Sequence, residues 1–571
     1  MQKKLAKKVA ALLLVLVLAA STFAFTGCAG SGRDRELITL VVYSQLANFS
    51  GTMETGWAAE VLRDRFGVQL LIINEVDGTF QTRMQDGFLG DLILFGSNGR
   101  QYMDAANFGF LFDWDEEDLL RNYGPFIYEH MQLALSANRD LHDGRLFGFG
   151  HDVAVDAVDH EDFFYYPYLR WDLYVALGKP PINTLEDFID VLYAMRELEP
   201  YTPDGLRTFG VSFFPDWDGD MVMMVKSTPA LYGYDEFGLG LYCTITQTYQ
   251  PIFTPIEEGG MYLRALRFYN QLFQRGLVDP DSMTQTFNDM IEKYTRGQAF
   301  WNIFSWMASP FNTEANLTAG RAMMPVAAAD QRNIVYGLNV FGNNRMWAIG
   351  SNSTHPELVM EIINWFATPE GVLTYLYGPQ GLMWDYDENG YLFLTELGTA
   401  SQQDDSTIIT YRNWTGEYGD GTFQHNNTTW NTDALNLESA VGETFNHNTW
   451  RNTLESQFVH PIEQSWRDHF NAIRADDYLI DRGKYSVSIG SAFAFDTLDA
   501  RMQFMWDQVA MTIRNRSWEA IYATTDEEFD RIVALMIQEA YDFGYAELRD
   551  WNAEQGLRRR AAEDEARGIV R

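Results

Sequence analysis

Cysteine is nearly absent. Cys28 and Cys243 are the only two in 571 residues, so no disulfide framework holds this chain together. Lysine is almost as scarce: beyond Lys3, Lys4, Lys7 and Lys8 only Lys179, Lys226, Lys293 and Lys484 remain. Only Lys226 is followed by Ser or Thr, and Val225 stands before it where the motif needs Gly, so a phosphate-cradling Walker A loop is absent. Lys plus Arg number 42 against 79 acids, a net charge of −37, which argues against nucleic acid as a partner. There is no His-Glu-x-x-His, no Gly-x-Ser-x-Gly, no Cys-x-x-Cys and no Gly-x-Gly-x-x-Gly after a strand. The nine histidines are scattered, none closer than nine residues to the next, and His151 and His160, at that spacing, lack a helical period. Asp216-Trp217-Asp218-Gly219-Asp220 suggests a calcium loop, but its glycine is at position four instead of six and Ser227 occupies the twelfth place. We therefore expect no catalytic residue, no metal and no cofactor.

Rings and apolar residues are plentiful. Hydrophobic residues make up 46% of the chain and charged residues 21%, the composition of a globular protein of several domain equivalents. Aromatics reach 15%, more rings than packing alone requires, so some are expected to face a ligand.

The N-terminus has the order of a bacterial signal peptide: four lysines in residues 1–8, the apolar run VAALLLVLVLAA at 9–20, then small and polar residues up to Gly27-Cys28. Phe25-Thr26-Gly27-Cys28 resembles a lipobox, although Phe25 departs from the usual Leu. On that reading residues 1–27 are removed, Cys28 receives a diacylglyceryl group, and 28–36 form a tether at the outer face of the cell membrane. The alternative is ordinary cleavage near Ala20 or Ala24, with Cys28 incidental. No later apolar run approaches the ~18 residues a spanning helix needs.

From residue 37 strands alternate with helices: LITLVVYS at 37–44, a helix over 53–66, VQLLIIN at 68–74, a helix over 79–88, and DLILFGS at 91–97. Continuous apolar, β-branched strands between helices predict a parallel α/β sheet covered on both faces. Ligands sit outside the carboxyl ends of such strands, which selects the loops at 45–50 and 96–100, with Asn48 and Asn98. Thr184, Thr354 and Thr525 each precede an acid by three residues (Asp187, Glu357, Glu528), the spacing of a capping box. In the helix from Met261, Tyr262, Leu266, Tyr269 and Phe273 form one core face, and Gly276 followed by Pro280 ends it. Residues 559–571 read as a charged, solvated tail.

Several segments, in order, resemble the extracellular solute-binding proteins of ABC importers, in the long lipoprotein branch of family 1 associated with oligosaccharides in Gram-positive bacteria. They are DLILFGSN (91–98), YLRWDLYVALGKPPINTLEDF (168–188), YLRALRFYNQLFQRGLVDPDSMTQTF (262–287), RGQAFWNIFSW (296–306) and MWAIGSNSTHPELVMEIINWFATPEGVLTYLYGPQG (346–381). NNTTWNTDA (426–434), GSAFAF (490–495) and TTDEEFDRIVALMIQEAYDFGYAELRDW (524–551) follow. The resemblance implies a two-lobed, type II periplasmic-binding-protein-like fold with the ligand cleft between the lobes. The first lobe would be 37–152 plus 335–385, and the second 153–334 plus 386–558. It also implies a monomer that binds an oligosaccharide and delivers it to permease subunits without changing it.

Individual positions follow from the same resemblance. Phe95 and Asn98 fall where the first lobe offers a ring and a polar group to sugar, and Trp217 and Trp306 where the second lobe offers aromatic platforms. His151 and Asp152 fall near the first crossing between lobes, and Trp347 and Trp384 at the border of the cleft. A sugar presents C–H faces and a hydroxyl rim, so rings together with Asn, Asp or His are the groups such a site needs. An extracellular glycan-degrading enzyme, or a binder of a non-sugar solute on the same fold, remains the alternative, since 79 acids always offer carboxylate pairs.

Overall fold

The computed structural model describes residues 37–568 apart from 48–49, 77, 158, 246–251, 254–255, 257–258, 422–431 and 492. The signal peptide, Cys28, the tether and Asn48 lie outside the described residues.

The opening alternation folds as expected into β1 (Ile38–Ser44), α1 (Trp57–Phe66), β2 (Val68–Asn74), α2 (Thr79–Asp86) and β3 (Leu92–Ser97). β2, β1 and β3 lie side by side in parallel, with Ile38 opposite Val68 and Val42 opposite Leu92. The sheet is mixed, not purely parallel: a strand from far along the chain, Asn344–Ile349, lies antiparallel between β3 and β4 (Gly148–Gly150), and Gly51–Thr52 pairs antiparallel with β2 at the other edge. Nothing local in the sequence reports a partner 250 residues away. Alternate side chains enter different cores. Leu40, Val42, Leu92 and Leu94 face one core with Trp57 and Trp347, while Tyr43, Ile93 and Phe95 face a smaller one with Phe80 and Tyr102. Burial on both faces explains the unbroken apolar runs.

The second lobe has its own core, built around β5 (Tyr165–Arg170), which pairs antiparallel with β6 (Trp301–Phe304) and β7 (Met323–Pro325). The helix Met261–Gln274 buries Tyr262, Leu266 and Tyr269, packs Phe273 at the core edge and ends before Gly276 at φ +68°, as its periodicity predicts. Of the expected caps, Thr525 accepts the Glu528 N–H at 3.2 Å and Asp187 accepts the Thr184 N–H at 3.1 Å. Thr354 takes no part, because the helix Pro356–Ala367 begins beyond it and the Ser353 hydroxyl accepts the His355 N–H instead.

Two expectations change. The described residues of 386–421 and 432–450, assigned by the resemblance to the second lobe, pack on the first: Leu392, Ile409, Phe445 and Trp450 join its core, and the Trp57 indole N–H donates to the Tyr418 carbonyl at 3.0 Å. The chain is back on the second core at Ile462 and Trp466. The charged tail is likewise no solvated extension. One helix runs Tyr545–Ala566 and buries Arg560 and Glu563, both hydrogen bonded to the Tyr242 hydroxyl (2.9 and 2.7 Å). Opposite charges paired along one helix face can be buried where a lone run of charge could not.

Chain passages between the two cores lie side by side. Leu338 N–H donates to Asp159, Gly337 N–H to Ser488, and Ala154 N–H to Asn339, at 2.7–2.8 Å. A Cβ on Gly490 would lie 2.1 Å from the Leu338 carbonyl, so this close approach requires glycine.

Candidate ligand-binding site

A run of contacting rings crosses the second lobe. Trp217, on the loop after Pro215, stacks on Phe287 with centroids 4.8 Å apart and lies 6.0 Å from Trp306. Trp306 stacks on Phe304 at 5.7 Å, Phe304 meets Tyr165 at 5.7 Å, and Tyr165 meets Tyr336 at 6.2 Å. β6 delivers Phe304 and the turn after it Trp306, while β5 delivers Tyr165. Trp217 is 49% exposed, a large ring held at the surface.

Tyr165 and Tyr336 lead into a cavity of about 1050 Å³. Phe237, Phe493, Phe495, Trp506 and Trp551 supply its apolar wall. Phe495 stacks on Trp551 at 5.9 Å, and Trp551 meets Trp506 edge-on at 5.8 Å. On its floor the Asp235 carboxylate accepts from the Tyr336 hydroxyl (3.1 Å), the Ser488 hydroxyl (3.3 Å) and the Arg559 guanidinium (3.0 Å). Burial and the neighbouring Asp235 push the Tyr336 hydroxyl far above the ordinary tyrosine range, so it is a permanent donor. Burial works against the charge on Arg559, but Asp235 and Glu563 beside it hold its pKa above the ordinary value.

The hairpin Tyr234–Phe237 to Gly240–Cys243 that carries Asp235 turns at Gly238, φ +57°, where a Cβ would come within 2.5 Å of Asn552 and 2.9 Å of Trp506. Glycine at this turn lets the hairpin close against the helices Ala500–Ile521 and Tyr545–Ala566. The acids of the calcium-like loop hold that loop to its neighbours. Asp216 accepts the Phe287 N–H (2.9 Å), Asp218 the Trp518 indole N–H (2.7 Å) and Asp220 the Trp506 indole N–H (2.9 Å).

Of the residues singled out from sequence, Trp217 and Trp306 come together in the ring run. Four others are packing residues. Phe95 is 1% exposed and lies edge-on to Tyr102 at 5.4 Å. Trp347 is fully buried between sheet and helix, and Trp384 donates its indole N–H to the Gly378 carbonyl at 2.8 Å from within the first core. His151 is buried 4.4 Å from Trp347, with Nε2 3.1 Å from the Ile363 carbonyl. Asp152 follows it half-buried, and burial raises its carboxyl pKa. Asn98 lies on the first lobe beside a separate cavity of about 200 Å³ with Asn138, Phe341 and Met346. The sequence reading missed Tyr165, Tyr336, Asp235, Phe493, Phe495 and Trp551. Phe493 and Phe495 stand in GSAFAF, where a polar-flanked pair of rings was the available signal.

No protein-family model and no curated protein matches the chain. Among solved structures it is similar to the Streptococcus pneumoniae ABC-transporter substrate-binding protein FusA in complex with kestose, at 15% identity and a TM-score of 0.50, covering 92% of this chain and 100% of that one. An extracellular solute-binding protein from Bifidobacterium longum subsp. infantis aligns over 94% and 100% of the two chains at 12% identity and a TM-score of 0.49. The N-glycan transport solute-binding protein of Streptococcus pneumoniae aligns over 92% and 99% at 14% identity and a TM-score of 0.46. The chain has the two-lobed α/β fold of ABC-transporter substrate-binding proteins.

Proposed function

We propose that this protein is the substrate-binding component of an ABC importer, and that it holds an oligosaccharide along the ring run from Trp217 to Tyr165 and in the cavity beyond. The fold it shares with FusA supports the transport role. The observation that carries the ligand class is the join between stacked rings, suited to C–H faces, and the Tyr336–Asp235–Arg559 floor, suited to hydroxyls. The passages between the cores provide the hinge on which the lobes close, by differential affinity of ligand for the closed state. We further propose that Cys28 carries the lipid anchor, placing the protein at the outer face of the cell membrane, where it passes ligand to its permease.

Titration calorimetry against a panel of oligosaccharides tests this, with recovered ligand checked for new reducing ends. Binding with the sugar returned intact is the expected result. Release of new reducing ends would instead establish a glycan-degrading enzyme, and absence of binding across the panel would remove the sugar reading.

A further inference from the structure

We propose that the cavity selects uncharged sugar units and rejects those bearing carboxylate or sulfate, an inference that rests on the oligosaccharide reading above. Four carboxylates line it, those of Asp220, Asp235, Glu236 and Asp496, and Arg559 is the one cation among the described lining residues.

Each neighbouring cation is already committed. Arg559 donates to Asp235 at 3.0 Å and to Glu563 at 3.2 Å, and its guanidinium lies 4.1 Å over the Tyr242 ring, leaving the side chain 13% exposed. Lys226, mostly buried behind the wall, holds Glu236 at 2.8 Å. Arg558 is paired with Asp496. Asp220 takes only a neutral donor, the Trp506 indole N–H. With Glu563 and Arg560, 3.6 Å from it, included, five carboxylates face four cations, so the recess keeps a net negative charge whose field low-dielectric walls focus. The acidity of the whole chain, −37, adds to it.

A sugar hydroxyl approaching these carboxylates is a donor meeting acceptors, and its ring face meets Phe495 or Trp551. A uronate placed there would bring a further carboxylate among acceptors with no uncommitted cation to receive it. Like charge and lost hydration then oppose binding together.

The test pairs each neutral oligosaccharide that binds with the same glycan oxidised at its C6 hydroxymethyl groups to carboxylates, both titrated at neutral pH and low salt. The oxidised form should bind at least ten-fold more weakly. The gap should narrow at high salt, because screening weakens interactions between accessible charges. The double variant Asp220→Asn, Asp496→Asn should also narrow it, with an unchanged melting temperature serving as the check that the fold is intact. Equal or tighter binding of the oxidised form overturns the selectivity while leaving the oligosaccharide reading in place. Failure of both forms to bind removes that reading and this one with it.

Discussion

Arg559 and Asp235, 324 residues apart in the chain, meet at 3.0 Å on the floor of the ring-walled cavity of about 1050 Å³. The pair is nearly enclosed, at 13% and 11% side-chain exposure, and the Ser488 hydroxyl bridges it. Removing one partner leaves an uncompensated charge in a recess. Arg559→Gln should therefore cost about 3–5 kcal/mol of stability. The double variant with Asp235→Asn should lose less than the two single changes added together, by about 0.5–3 kcal/mol, in a denaturant-melt cycle. Strict additivity would mean that the pair is not coupled.

Trp217 and Trp306 differ from the other tryptophans named from sequence in lying in an open ring run. If each stacks on sugar, Trp217→Ala or Trp306→Ala should weaken ligand binding by about 1–3 kcal/mol, roughly 5- to 150-fold. The melting temperature of Trp217→Ala should stay near that of the parent, since half of that ring is already in water. Unchanged calorimetric affinity in both variants would take these rings out of the site.

Trp384 gives the opposite pattern. It is 1% exposed and hydrogen bonded at 2.8 Å within the first core, so Trp384→Ala should cost about 3–5 kcal/mol and lower the melting temperature. Ligand affinity of the folded fraction should be little changed.

His151 supplies a pH dependence. Burial drives its imidazole pKa down to about 3 from the ordinary 6.5, against the opposing effect of the Ile363 carbonyl. The unfolded chain therefore binds a proton between those values that the folded chain excludes. This contribution to stability is full above pH 6.5 and is lost as pH falls towards 3, at up to about 1.4 kcal/mol per pH unit. Chemical denaturation from pH 7 to pH 4 should show a shallower fall for His151→Gln, whose amide can still donate to Ile363. Parallel slopes would assign the acid loss to other groups.

If Cys28 is lipidated, Cys28→Ala should move the protein from the membrane fraction to the medium, because a diacylated cysteine provides the two chains stable attachment needs. Retention in the membrane without that thiol would place the anchor elsewhere.

Sequence alone determined what depends on short range. The opening strands and helices, the core face of Met261–Gln274 and the resemblance to solute-binding proteins could all be read from it, because apolar periodicity and segment order are local properties of the chain. Trp217 and Trp306, named through the resemblance, lie 6.0 Å apart in one run of rings. Tertiary structure decided the rest. It added Asn344–Ile349 to the first sheet and moved the described residues of 386–421 and 432–450 to the first lobe. It also buried the charged end of the last helix, whose partners Asp235 and Tyr242 lie over 300 residues earlier. Phe95, Trp347 and Trp384 could not be told from ligand-facing rings by residue type, since an aromatic side chain fills a core or stacks on a sugar with the same face. Which of these it does depends on what the remainder of the chain brings against it.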